Sequence, residues 1–125
     1  MAGRIPVFLT GPIPATRGFI DRLGPRLVPP VVHVACGEGV ALGELNLAGT
    51  VVLHDVDKLA LADQRGVLKW LEAAAGRIQV VSTSSRPVVP LILSRGFLDT
   101  LYYRLNAVYF ALPAAGPRGT PLLAQ

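Results

Sequence analysis

Short apolar runs, separated by proline, glycine and polar clusters, divide the chain into alternating segments. Residues 5–10 (IPVFLT) end at Gly11 and predict a buried strand closed by a turn. Pro12 and Pro14 make the next stretch rigid, and Thr16 is placed to cap a short helix over residues 17–23 that stops at Gly24 and Pro25. Residues 31–35 (VVHVA) are apolar and β-branched, which predicts a second strand. Residues 37–48 read as a loop or short helix, and residues 50–53 (TVVL) as a third strand running into HDVDKL. Over residues 62–75, Val67, Leu68 and Leu71 share one helical face with Trp70 beside them; Asp63 suits the start and Gly76 the end. Residues 78–81 (IQVV) predict a fourth strand, with the polar run STSS as the turn at its end. A helix interrupted by Pro90, a helix over residues 98–104 and a strand over residues 107–112 complete the pattern.

Strands that alternate with helical segments predict an α/β fold, a three-layer sandwich with a mostly parallel sheet between helices. The 125 residues suffice for one domain, assigned to residues 1–112, and the proline- and glycine-rich residues 113–125 read as a loose tail. A hydrophobic content of 51% argues against disorder, and no apolar run approaches the roughly 20 residues of a membrane span. One cysteine, Cys36, and no export signal predict a cytoplasmic protein. The net charge of +4 comes from scattered basic residues, so it fits a solvated basic surface better than a nucleic-acid footprint. No helix-turn-helix pattern or basic recognition helix is readable, and sequence-specific DNA binding is not expected. The aromatic residues Trp70, Tyr102, Tyr103, Tyr109 and Phe110 are assigned to the core on their helix and strand positions.

The ordered set GTVVLHDV (residues 49–56), IQVVSTSSR (78–86) and FLDTLYYRLNAVYFAL (97–112) resembles the second half of the AAA+ core of NtrC-like, sigma-54-dependent transcription activators. LYYRLN (residues 101–106) is the most specific element, and PVFLTG (6–11) and VVHVAC (31–36) resemble the family's first two strands. The resemblance implies a P-loop NTPase (AAA+)-like fold and a role in transcriptional regulation. The matching positions depart from the family's nucleotide chemistry. A phosphate loop needs glycines and a lysine at a helix start. Here only Gly11 remains, with Thr16 before Arg17 at the lysine position. The two carboxylates that follow the third strand become His54 and Asp55, and histidine suits Mg²⁺ poorly. A His54–Asp55 or His54–Asp57 transition-metal pair is an alternative, set against a plain polar strand end. Ser85 stands at the sensor asparagine. Of two arginines that reach a neighbouring subunit, the first becomes Leu98 and the second is retained as Arg104, either a finger-like interface residue or a structural ion pair. Residues 37–48 are too few to contain the family's long insertion with its sigma-54 contact loop.

The resulting expectation is a non-catalytic interaction module with a protein partner or self-association, within the transcription machinery or with a regulator. No cofactor and no metal are expected. The alternative is a residual ATP- or ADP-binding protein, with Mg²⁺, or a weak ATPase.

Overall fold

The computed structural model describes residues 4–38, 45, 47–74 and 76–113. Five strands, β1 (Val7–Thr10), β2 (Val31–Ala35), β3 (Thr50–His54), β4 (Gln79–Ser84) and β5 (Val108–Ala111), form one sheet in the order β2-β3-β4-β1-β5. Every pairing is parallel, with Val7 opposite both Val81 and Val108, and Ala35 opposite His54. Among the described residues four α-helices lie between them: α1 (Ile13–Leu23), α2 (Leu61–Ala74), α3 (Val88–Leu93) and α4 (Asp99–Leu105).

Side chains alternate across the sheet, so each face has its own core. Leu9, Val52 and Val81 pack with Ile20 and Phe19 of α1 on one face. Phe8, Val51, Leu53 and Val80 pack with Val67, Trp70 and Leu71 of α2, Val88 of α3, and Leu101 and Leu105 of α4 on the other. Parallel sheets require covering on both faces, which is why Phe8 and Leu9, Val51 to Leu53, and Val80 and Val81 form apolar runs at the centre of the sheet. Trp70 is in the core as expected, and Tyr102 is half-buried against Phe8. The other aromatic assignments are corrected: Tyr103 is 74% exposed, Tyr109 48% and Phe110 41%. The last two lie on β5, an edge strand, where each ring covers Phe8 or Phe19 with one side and meets solvent with the other.

Three boundaries also differ from expectation. Ser82, Thr83 and Ser84 belong to β4 and are buried, so the polar run is strand and not turn. Pro90 lies inside α3 without interrupting it, because proline fits the first helical turn. Thr16 does not cap α1: the helix starts at Ile13 after Pro12, and Thr16 is buried within it. Most of residues 37–48, and the tail beyond residue 113, lie outside the described residues.

Candidate functional site

In open parallel sheets ligands sit beyond the carboxyl ends of the strands, where neighbouring strands send their connections to opposite faces. Here β1 exits into α1 on one face, and its neighbour β4 exits towards α3 and α4 on the other. The crevice at their ends is formed by Thr10, Gly11, Ser85 and Arg86. A cleft of about 500 Å³ opens there, lined also by Tyr109 and Leu112. Gly11 has φ +148°, donates its N–H to Ser84 O at 3.1 Å, and stands so close to Leu112 that any Cβ would strike the Leu112 carbonyl oxygen. Leu112 N–H donates to Thr10 O at 2.7 Å, which holds that closure in place.

The turn after Gly11 is already helix. Pro12 occupies the N-cap and Pro14 lies in the first turn, and neither has an N–H. Ala15 and Thr16 donate their N–H groups to Pro12 O at 2.9 and 3.1 Å. The Thr16 hydroxyl donates back to Ile13 O at 3.1 Å. The two prolines were legible as rigid residues; their preference for a helix start was the unused signal.

Arg17, exposed on α1, lines a second cleft of about 450 Å³ with Asp21, His33, Ala35, His54 and Asp55. His54 ends β3 and its Nε2 lies 2.9 Å from Nδ1 of His33 on β2. The ring planes are 18° apart and the centroids 5.1 Å apart. That separation is the N···N distance plus two ring radii, so the rings meet end to end, one nitrogen donating and the other accepting. Burial pushes the His54 pKa down, as do His33 and Arg17, with Asp55 opposing them. Asp55 itself adopts the left-handed region, φ 60° and ψ 55°, with its N–H donating to the Thr83 hydroxyl at 2.9 Å and its carboxylate 3.7 Å from Lys58 Nζ.

Asp57 does not join His54. Its side chain is buried, its Oδ2 accepts from Arg86 Nε at 2.9 Å, and a second Arg86 nitrogen donates to the Asp57 carbonyl at 2.8 Å. The His54–Asp57 pair is therefore corrected to Asp57–Arg86. Among the described residues no three His, Cys, Asp or Glu side chains converge as a metal cluster. Ser85 is exposed beyond β4. Arg104 lies on α4 with its guanidinium 3.6 Å from Glu72 of α2, both half-exposed. Cys36 is buried after β2, and burial, with Asp55, Asp57 and Asp63 nearby, pushes its thiol up to about 12.

Three residues escaped the sequence. His33 needed the β2–β3 register to bring it beside His54. Arg86 needed the fold of the turn after β3. Gln64 is fully buried: its amide donates to Leu59 O at 3.0 Å and Gly96 O at 2.9 Å, and its oxygen accepts from Leu98 N–H at 2.8 Å. A polar residue at a core-facing helical position, three before Val67, was its available signal.

Sheet order, crossovers and crevice define a parallel α/β domain with the P-loop NTPase fold. The chain belongs to the sigma-54 interaction domain family, whose profile matches residues 2–115. Solved structures agree on the fold. NtrX from Brucella abortus in complex with ADP superposes with a TM-score of 0.69 at 18% identity, over 88% of this chain and 32% of that one. The ATP complex of the same protein gives 0.68 at 20% identity, over 88% and 33%. The P-loop NTPase domain of a sigma-54 activator from E. coli gives 0.62 at 20% identity, over 86% and 82%. The chain thus spans about a third of the length of the NtrX chains. Among curated protein sequences none matches. Among the described residues no helix is long and apolar enough to cross a membrane.

Proposed function

We propose that the chain is a non-hydrolysing module of the sigma-54 interaction type, acting in cytoplasmic transcriptional regulation through protein contacts, with residues 1–112 as its working unit. The observation that carries this is the start of α1. A phosphate loop works by presenting free backbone N–H groups to oxygens. In this chain Gly11, Ala15 and Thr16 spend theirs on Ser84 and Pro12 carbonyls, and Pro12 and Pro14 have none. The Leu112 carbonyl occupies the side of Gly11 where a side chain would stand. His54 replaces an oxygen ligand with a nitrogen already bonded to His33. Arg104 serves as an ion-pair partner of Glu72 in this reading, not as a finger. The partner is a component of the transcription machinery, another regulator, or a second copy of the chain.

A second reading has one observation in its favour: Arg17, with Thr16 before it, projects into the cleft that holds His54 and Asp55. Residual binding of ATP or ADP through Arg17 follows from that. Calorimetric titration of the purified chain with ATP and ADP, with and without Mg²⁺, separates the two. The module reading expects no binding at millimolar nucleotide. Micromolar binding that Arg17→Ala abolishes would replace it with the nucleotide-binding reading.

A further inference from the structure

The β2–β3 pairing places His33 and His54 on the same face of the sheet, as diagonal neighbours two residues out of register, because His33 lies opposite Val52 and Ala35 opposite His54. Their facing nitrogens are 2.9 Å apart. Two imidazole nitrogens bound at right angles to one ion, each at about 2.0–2.1 Å, stand about 2.9 Å apart. The spacing that now accommodates a shared proton is therefore also the bite of two cis ligands on a tetragonal ion.

We infer that His33 and His54 form an open two-histidine site for a late first-row divalent transition ion of the Cu²⁺ and Ni²⁺ class. Ligation needs each ring to turn by about 45° in its own plane from the end-to-end arrangement, so that its lone pair points at the ion in place of its partner. The ion bonds to Nδ1 of His33 and Nε2 of His54, and each ring carries its proton on the other nitrogen. When the pair is neutral this is a tautomer change with no net proton release; when it is protonated, one proton leaves for each imidazolium lost.

The surroundings suit this use. His33 is exposed and the cleft of about 450 Å³ opens to solvent, so water can fill the remaining positions. Asp21 and Asp55 line the same cleft against a single Arg17, and a carboxylate there can hold a ligand water. The backbone carrying both rings is paired strand, which limits the rearrangement on binding. Burial disfavours the charged form of His54, so an entering ion displaces the His33 hydrogen bond and not a second proton. No third protein ligand converges among the described residues, so the site is open and not a closed structural cage. An open nitrogen site that accepts square or octahedral geometry selects Cu²⁺ and Ni²⁺ ahead of harder ions.

The test uses the untagged full chain, free of nucleotide, so it is independent of the proposed function. Calorimetric titration with Ni²⁺ at pH 7.5 is expected to show one site. His33→Ala and His54→Asn are each expected to weaken it about tenfold or more, a difference of about 1.4 kcal/mol per tenfold. Thermal melts check that both variants remain folded, and His33, being exposed, is replaceable without loss of core. Electron paramagnetic resonance of the Cu²⁺ complex is expected to show coupling to two imidazole nitrogens, falling to one in each variant. The inference is overturned by absent Ni²⁺ binding, by binding that neither substitution weakens, or by a Cu²⁺ spectrum without imidazole coupling.

Discussion

On the face of the sheet covered by α2, α3 and α4, single polar side chains tie neighbouring elements together, and Gln64 is the clearest case. Its three hydrogen bonds tie the start of α2 to the segment before it, through Leu59, and to the turn between α3 and α4, through Gly96 and Leu98. All of this is shielded from water, since the Gln64 side chain is fully buried. A typical hydrogen bond nets about 1 kcal/mol, but a buried group left unpaired costs about 1–3 kcal/mol. Gln64→Leu keeps the volume and orphans two carbonyls and one N–H. It is expected to lower the unfolding free energy by about 3 kcal/mol in urea denaturation. A loss below about 1 kcal/mol would mean that water replaces these bonds and that the turn is held by packing around Phe97 and Leu101 instead. The Asp57–Arg86 pair works in a similar way between the turn after β3 and the end of β4: a buried carboxylate is tolerable only because an arginine fork reaches it from solvent.

Among the elements, α1 decides how the candidate site is read, and two glycines, one before it and one inside it, are expected to respond oppositely to substitution. Gly18 sits in the middle of the helix where a Cβ would meet nothing within 4 Å. Glycine in a helix interior costs about 0.5–1 kcal/mol relative to alanine. Gly18→Ala is therefore expected to raise the stability by about that amount, read as a higher melting temperature by circular dichroism. Gly11→Ala, just before the helix, is expected to destabilise, because its φ is in the region L-residues avoid and Leu112 leaves no room. A melting temperature unchanged by the first substitution would show that α1 is not formed over Gly18 as described. The strands and their order of appearance were legible because each buried strand is a short apolar run between breakers, and β2 was placed with both ends correct. The start of α1 is not legible: Pro12 and Pro14 read only as rigid residues ahead of a helix at 17, whereas proline at a first helical turn extends the helix back to Ile13. The edge aromatics Tyr109 and Phe110 were misassigned because alternation tells which face a residue is on, and not whether the strand lies at the sheet's border. The pairing of His33 with His54 depends on register between strands separated by residues 36–49, which no local pattern encodes.

For the molecule as a whole, the two shifted groups bound a pH window of maximum stability. His54 has its pKa lowered from 6.5, by burial first and then by His33 and Arg17. The folded state therefore resists a proton that the unfolded chain accepts, and stability falls as pH drops below about 6.5. The groups facing His54 are Arg17 and Asp21 from α1, His33 from β2 and its neighbour Asp55. Arg17 and His33 strengthen the effect and Asp55 weakens it. At the other end, Cys36 has its pKa raised from 9.0 to about 12, by burial first and then by Asp55, Asp57 and Asp63. Here the folded state keeps a proton that the unfolded chain releases, so stability falls as pH climbs from 9.0 towards 12. Between the two limits neither group contributes a slope. Unfolding free energies from denaturant titrations across pH 5 to 11 are thus expected to form a plateau with a fall on each side. His54→Asn is expected to flatten the acid limb and leave the alkaline one, and Cys36→Ala to do the reverse. The same burial keeps the Cys36 thiol protonated at neutral pH, so it should react with iodoacetamide only on the timescale of unfolding. An acid limb that persists in His54→Asn would show that His54 does not set it. It would also remove the premise that His54 stands neutral and ready beside His33.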